Sequence, residues 1–165
     1  MKLLVVFLIT LFTFATTAFA NKYVVSNQKV TFHEGYIRCR TYGMDPAEIL
    51  SECDHKELLE ALPPHKELGY INGFWIFATN ILDRATFIWM KSNKPLFYSL
   101  FSITQPDVMG TKGNCLEIYQ HNIGIFLWSE NNCETKLRFV CQRKDHNSTS
   151  SCKDNNVELK NNISN

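Results

Sequence analysis

The sequence predicts an α+β domain: two helices, small mixed antiparallel sheets and one long loop region, stapled by disulfides. Three observations carry that prediction. Helix-start signals stand at Thr31 and Ser51. Aromatic and β-branched runs with strand character follow from Gly73 onward. Six cysteines, an even number, are spread along the chain.

Taken in order, Lys22 to Val30 alternates loosely and holds Tyr23, Val24, Val25 and Val30, which predicts a short strand or strand pair. Thr31-Phe32-His33-Glu34 has the form of a capping box: the threonine hydroxyl can accept from the third helical N–H while Glu34 reaches back. The helix it opens should run toward Tyr42. Phe32, Tyr36, Ile37 and Cys39 would lie toward one face, with Gly43 just past the end. Ser51-Glu52-Cys53-Asp54 marks a second start. That helix would carry Leu58, Leu59 and Leu62 and stop at Pro63-Pro64, because a proline disfavours the helical conformation of the residue before it. Asp54 and Glu57, one turn apart, read as a solvated surface pair. "GFWIFAT" and "ATFIWM" then predict strands. Asn93 to Asn114 shows little periodicity and recurrent Pro, Gly and Ser; a loop that long inside a small domain is usually functional. "CLEIYQ", "GIFLWS" and "LRFVCQ" predict three closing strands.

The ends read differently. Met1-Lys2, an apolar run from Leu3 to Phe14 and the closing Ala18-Phe19-Ala20 have the layout of a secretory signal peptide over 1–20. An uncleaved anchor is the rival reading, disfavoured by the small residues at the cleavage point. No later segment is apolar enough to span a membrane. A domain over 21–143 remains, followed by 144–165, too polar to bury much and expected to be a flexible tail. Asn147-Ser148-Thr149 and Asn162-Ile163-Ser164 in that tail are glycosylation sequons. The expected destination is secreted and extracellular.

Composition excludes some functions. The formal charge is +1 with no Lys/Arg run, which gives nucleic acid no electrostatic footprint. No Cys-x-x-Cys pair appears, so zinc and redox motifs lack support. His33-Glu34 opens a His-Glu-x-x-His pattern that Ile37 breaks, and neither a Gly-x-Ser-x-Gly elbow nor a phosphate loop occurs. These absences leave an enzyme reading without support in the sequence, and none is expected. The six cysteines, in an oxidising compartment, read as a disulfide framework with fifteen conceivable pairings.

The set "FWIFAT", "QPD" (Gln105 to Asp107), "NCLEI", "LWSENNC" and "RFVCQ", with "YIRCRTYGM" before the second helix, resembles a C-type lectin-like domain. It covers roughly Tyr23 to Arg143, and its spacing is similar to that of small secreted single-domain insect lectins. The resemblance implies the C-type lectin-like fold and two disulfides, Cys39–Cys141 and Cys115–Cys133. Cys53 and Cys152 are left over and are expected to pair, fastening the tail to the second helix; an intermolecular bond through Cys152 is the alternative. Trp75, Trp89 and Trp128 are expected to pack in the core.

The resemblance also implies a site. Sugar-binding members hold calcium with the two ends of such a triplet, joined by a cis proline. They add a Glu two places before the following Cys and an Asn-Asp pair after the late Trp. Calcium wants six to eight oxygens, several of them anionic. Here Gln105 and Asp107 match, Glu130 keeps a charge with a longer reach, Ser129 replaces the Asn, and Gly113 has no side chain to offer. A strong calcium site is not expected. Gln-Pro-Asp implies galactose-type recognition, yet Val108 to Gly113 offers no ring to stack on a sugar, and Phe101 stands where a Trp is usual. Tyr119, His121 and Phe126 are the rings that could lie near. The expected ligand is a glycan or glycoprotein bound at Gln105, Asp107 and Glu130. The alternative is calcium-independent interaction with a protein on the same scaffold.

Overall fold

The computed structural model describes residues 21–63, 68–106 and 114–144. Residues 1–20, expected to be a signal peptide, and Asp107, Gly113, Cys152, Asn147 and Asn162 lie outside the described residues.

The chain opens with strand β1 (Tyr23–Val25) and helix α1 (Phe32–Thr41), followed by the two-residue strand β2 (Asp45–Pro46) and helix α2 (Glu52–Ala61). A single 3-10 turn (Tyr70–Asn72) leads into β3 (Phe74–Thr79) and the short β4 (Ile88–Trp89). The remaining strands are β5 (Cys115–Asn122), β6 (Ile125–Asn131) and β7 (Arg138–Gln142). The capping box of α1 is complete: Glu34 N donates to Thr31 Oγ1 at 3.4 Å, and Thr31 N donates to Glu34 Oε2 at 3.0 Å. At α2, Asp54 N donates to Ser51 Oγ at 3.1 Å.

The strands run in the order β1-β7-β3-β5-β6. All neighbours on this path are antiparallel except β3 and β7, which run parallel. β7 uses both its edges: β1 pairs with its last residues on one side, and β2 meets the same residues from the other. β2 was not legible in the sequence, because two residues including a proline carry no strand signal.

β3 shows why this sheet is the centre of the molecule. Its side chains alternate between two separate cores: Phe74, Ile76 and Ala78 join one with Leu58, Trp89 and Trp128, while Trp75 and Phe77 join the other with Phe32, Cys39 and Phe139. A strand covered on both faces reads as a continuous apolar run, as "FWIFA" does. Helix α2 covers the first face and α1 the second. All three tryptophans are buried. Cys39 is bonded to Cys141 and Cys115 to Cys133, and Cys53 is also disulfide-bonded.

Two readings are corrected. Ile37 is 61% exposed and not on the buried face of α1. Asp54 and Glu57 are not a solvated pair: both face Lys22, with Glu57 Oε2 at 3.7 Å from its Nζ and all three side chains largely covered. The partner lies 32 residues from Asp54, beyond the reach of local sequence patterns.

Candidate functional site

The long loop is held against β6 by backbone pairing. Trp128 N donates to Leu100 O at 2.8 Å, and Ser102 N donates to Trp128 O at 3.0 Å. A turn follows, closed by Gln105 N to Ser102 O at 3.0 Å, with Thr104 in the left-handed region at φ 75°. The Gln105–Pro106 peptide bond is cis. Gln105 then reaches back to the same strand: its Oε1 accepts from Glu130 N at 3.0 Å. Two of the three expected ligand-binding residues, Gln105 and Glu130, therefore meet at the end of β6; the third, Asp107, lies outside the described residues.

Glu130 is buried, and its Oε1 accepts from Asn80 Nδ2 at 3.0 Å. Asn80, itself buried, follows β3 directly and donates its backbone N–H to Asn114 O at 3.1 Å. Sequence reasoning passed over Asn80; its only signal was a polar residue closing an apolar strand. Ser129 points away from this cluster. It is fully buried, and its Oγ donates to Glu117 Oε1 at 2.9 Å. Alternation along a strand sends Ser129 and Glu130 to opposite faces.

Glu117 is the other residue that pattern reading left without a role. It is fully buried on β5, in register with Trp75, and burial pushes its carboxyl up to about 8. The neighbouring hydroxyl of Ser129 works in the opposite, smaller direction. Gly73 makes room for it: a Cβ there would collide with Glu117 Oε2.

The described donors do not assemble a calcium shell. Gln105 Oε1 and Glu130 Oε1 already accept N–H groups, and the Asn80 amide directs a donor, not an oxygen, at the carboxylate. Ser129 is turned inward. Among the described residues no three His, Cys, Asp or Glu side chains come together as a metal cluster. Among the described residues of this cluster, an ion that needs several anionic oxygens to offset its dehydration meets one carboxylate, that of Glu130; Asp107 lies outside them. The candidate stacking rings differ in use: Tyr119 is buried with its ring 4.3 Å from that of Tyr70, Phe126 packs against the core, and His121 is exposed. Phe101 is half-buried between Phe87 and Trp128, at 5.8 and 6.3 Å between ring centres.

Comparison with known proteins adds three findings. The family model described as "Lectin C-type domain" matches residues 28–143. Salivary C-type lectin 2 of Aedes albopictus is 28% identical over 129 residues, covering 75% of this chain and 84% of that protein; Perlucin of Haliotis laevigata is 26% identical over 122 residues, covering 74% and 76%. The C-type lectin domain of murine dendritic cell inhibitory receptor 2, solved in complex with N-glycan, superimposes with a TM-score of 0.60 at 17% identity, covering 73% of this chain and 88% of that one.

Proposed function

Because this chain belongs to the C-type lectin domain family, we propose that it is a secreted module that binds carbohydrate, of galactose type, with weakened or lost calcium dependence. The single observation that carries this reading is the docking of the Gln105 amide onto the Glu130 backbone, which holds the first residue of the triplet against the end of β6. Asp107, the other end of the triplet, is the third residue proposed to bind the sugar. Weak calcium dependence is supported by the two described members of the set, an amide oxygen and a carboxylate oxygen that already accept N–H groups, and by Gly113 standing where the family has a Glu. Secretion rests on the leader over 1–20 and on a disulfide framework suited to an oxidising compartment, with a relative whose name places it in saliva. Asn147 and Asn162 are the proposed glycan attachment points, Cys152 the proposed partner of Cys53, and 21–143 the proposed extent of the binding domain.

The commitment of Glu130 to Asn80 favours a second reading, a protein-binding module that retains the scaffold without the metal. A glycan array probed with the mature protein, in calcium and in EDTA, separates the two. Retention of galactosides in both buffers, abolished by Asp107→Ala, is the expected outcome. No glycan retained in either buffer transfers the function to the protein-binding reading, and retention that vanishes in EDTA overturns the weak calcium dependence.

A further inference from the structure

The phenol rings of Tyr70 and Tyr119 form a pair that takes no part in the site around Gln105 and Glu130. Their centres lie 4.3 Å apart with the planes inclined at 36°, and the two hydroxyl oxygens are 3.4 Å apart, Tyr119 donating to Tyr70. The residues are 49 apart in the chain, so the fold and not the local sequence brings them together. Both are held in place. Tyr119 sits on β5 opposite Leu127 of β6. It projects from the face of β5 opposite to that of Leu116, the partner of Glu130, so the pair stands apart from the triplet. Tyr70 opens the 3-10 turn, which is tied to β5 by Gly69 N donating to Gln120 O at 2.9 Å and closed by Gly73 N donating to Tyr70 O at 3.3 Å. Access to the two rings differs sharply: Tyr70 is 49% exposed and Tyr119 only 1%. The described cysteines are all disulfide-bonded, so none of them offers a thiol that could hand a hydrogen atom back to a tyrosyl radical.

We infer that Tyr70 and Tyr119 are a modification site, joined carbon to carbon as an intramolecular dityrosine by a haem peroxidase acting with hydrogen peroxide. The oxidised haem takes one electron from the exposed Tyr70, whose hydroxyl proton goes to solvent. The buried Tyr119, out of the oxidant's reach, passes its hydroxyl hydrogen atom to the Tyr70 oxygen and becomes the radical. A second electron and a second proton then leave through Tyr70. The two phenoxyl radicals combine at ring carbons ortho to their oxygens, and the hydrogens on those carbons move as protons to the oxygens, restoring both phenols. In all, two electrons and two protons leave the protein and reduce one hydrogen peroxide to two waters. Holding both rings in contact turns an encounter between two rare radicals into a step within one molecule. The new bond ties the segment entering β3 to β5, independently of what the triplet binds.

The test is mass spectrometry of the mature protein after treatment in dilute solution with a haem peroxidase and hydrogen peroxide. The monomer fraction is reduced, alkylated and digested with trypsin. Cleavage after Lys66, Arg84, Lys112 and Lys136 places the two tyrosines in separate peptides, 67–84 and 113–136, each holding a single tyrosine. The expected product is those two peptides joined, two hydrogens lighter than their sum. It should exceed any other tyrosine–tyrosine link in the monomer by about tenfold, because only oriented rings gain from proximity. Tyr70→Phe and Tyr119→Phe, which keep the rings, should each abolish it. Tyr42→Phe, at a tyrosine that is 53% exposed, should leave it unchanged. Three results on the wild-type protein overturn the site whatever the variants do: both peptides recovered unmodified, Tyr70 oxidised without a link to Tyr119, or dityrosine confined to covalent dimers.

Discussion

Glu117 is a carboxyl placed where its charged form is opposed. A carboxyl buried without a cation beside it holds its proton, because ionisation would leave a charge with no water around it. The groups that meet it are the Ser129 hydroxyl and Asn131, and both favour the charged form less than burial opposes it. The stability consequence has a definite sign. Between the ordinary value of 4.5 and about 8, the folded protein keeps a proton that the unfolded chain releases, so stability falls as pH rises through that window and levels off above it. Glu117→Gln should remove this slope and raise stability at pH 8 by about 2 kcal/mol. Urea unfolding of both proteins at pH 5 and pH 8 measures it, and a parallel slope in the variant contradicts the assignment. His55 gives the opposite limb. It is buried beside Tyr98 and Trp128, and burial lowers its affinity for a proton. Its contribution is lost as pH falls below about 6.5, and Glu117→Gln leaves that limb intact.

At the level of the element, α1 depends on its first turn. The ten-residue helix is too short to be stable alone in water, so it draws on the capping box and on burial of Phe32 and Cys39 against the sheet. Thr31→Ala removes the acceptor for Glu34 N, and should lower global stability by about 1 kcal/mol. Equilibrium denaturation checks this; a loss below a few tenths of a kcal/mol shows that tertiary contacts alone hold the helix start. The strands differ in how visible they were. β3 and β5 through β7 were readable as aromatic and β-branched runs. The run "ATFIWM" forms only two residues of strand, Ile88 and Trp89, with Phe87 packed in the first core and Met90 against the second.

At the scale of the whole molecule, the two disulfides that join described cysteines do different jobs. Cys39–Cys141 spans 102 residues and ties α1 to the final strand, which also pairs with β1, so both ends of the domain are locked at one edge of the sheet. Cys115–Cys133 spans 18 residues and fixes the start of β5 to the segment after β6. In the chain-entropy model the long loop is worth about 4.7 kcal/mol and the short one about 3. Replacing Cys39 and Cys141 by alanine should therefore cost more stability than replacing Cys115 and Cys133, by about 1 to 2 kcal/mol in guanidinium unfolding. The reverse order would mean that the long loop is already restrained before folding completes.

The sequence by itself determined the local features, because they depend on neighbours along the chain. Thr31 and Glu34 lie within one turn, the second helix ends at Ala61 just before the Pro63-Pro64 pair of the sequence, and "FWIFA" is apolar at every position, whichever face of the sheet a residue meets. The set of cysteines and the Gln-Pro-Asp triplet pointed through resemblance to the fold and to Gln105 and Glu130. Tertiary structure decided what depends on distant partners. It buried Glu117 by placing Ser129 and Gly73 against it, gave Asp54 and Glu57 to Lys22, and committed Glu130 to Asn80, fifty residues away. A side chain's charge state and availability are set by what packs around it. No local pattern encodes that when the packing partners arrive from the far side of a sheet.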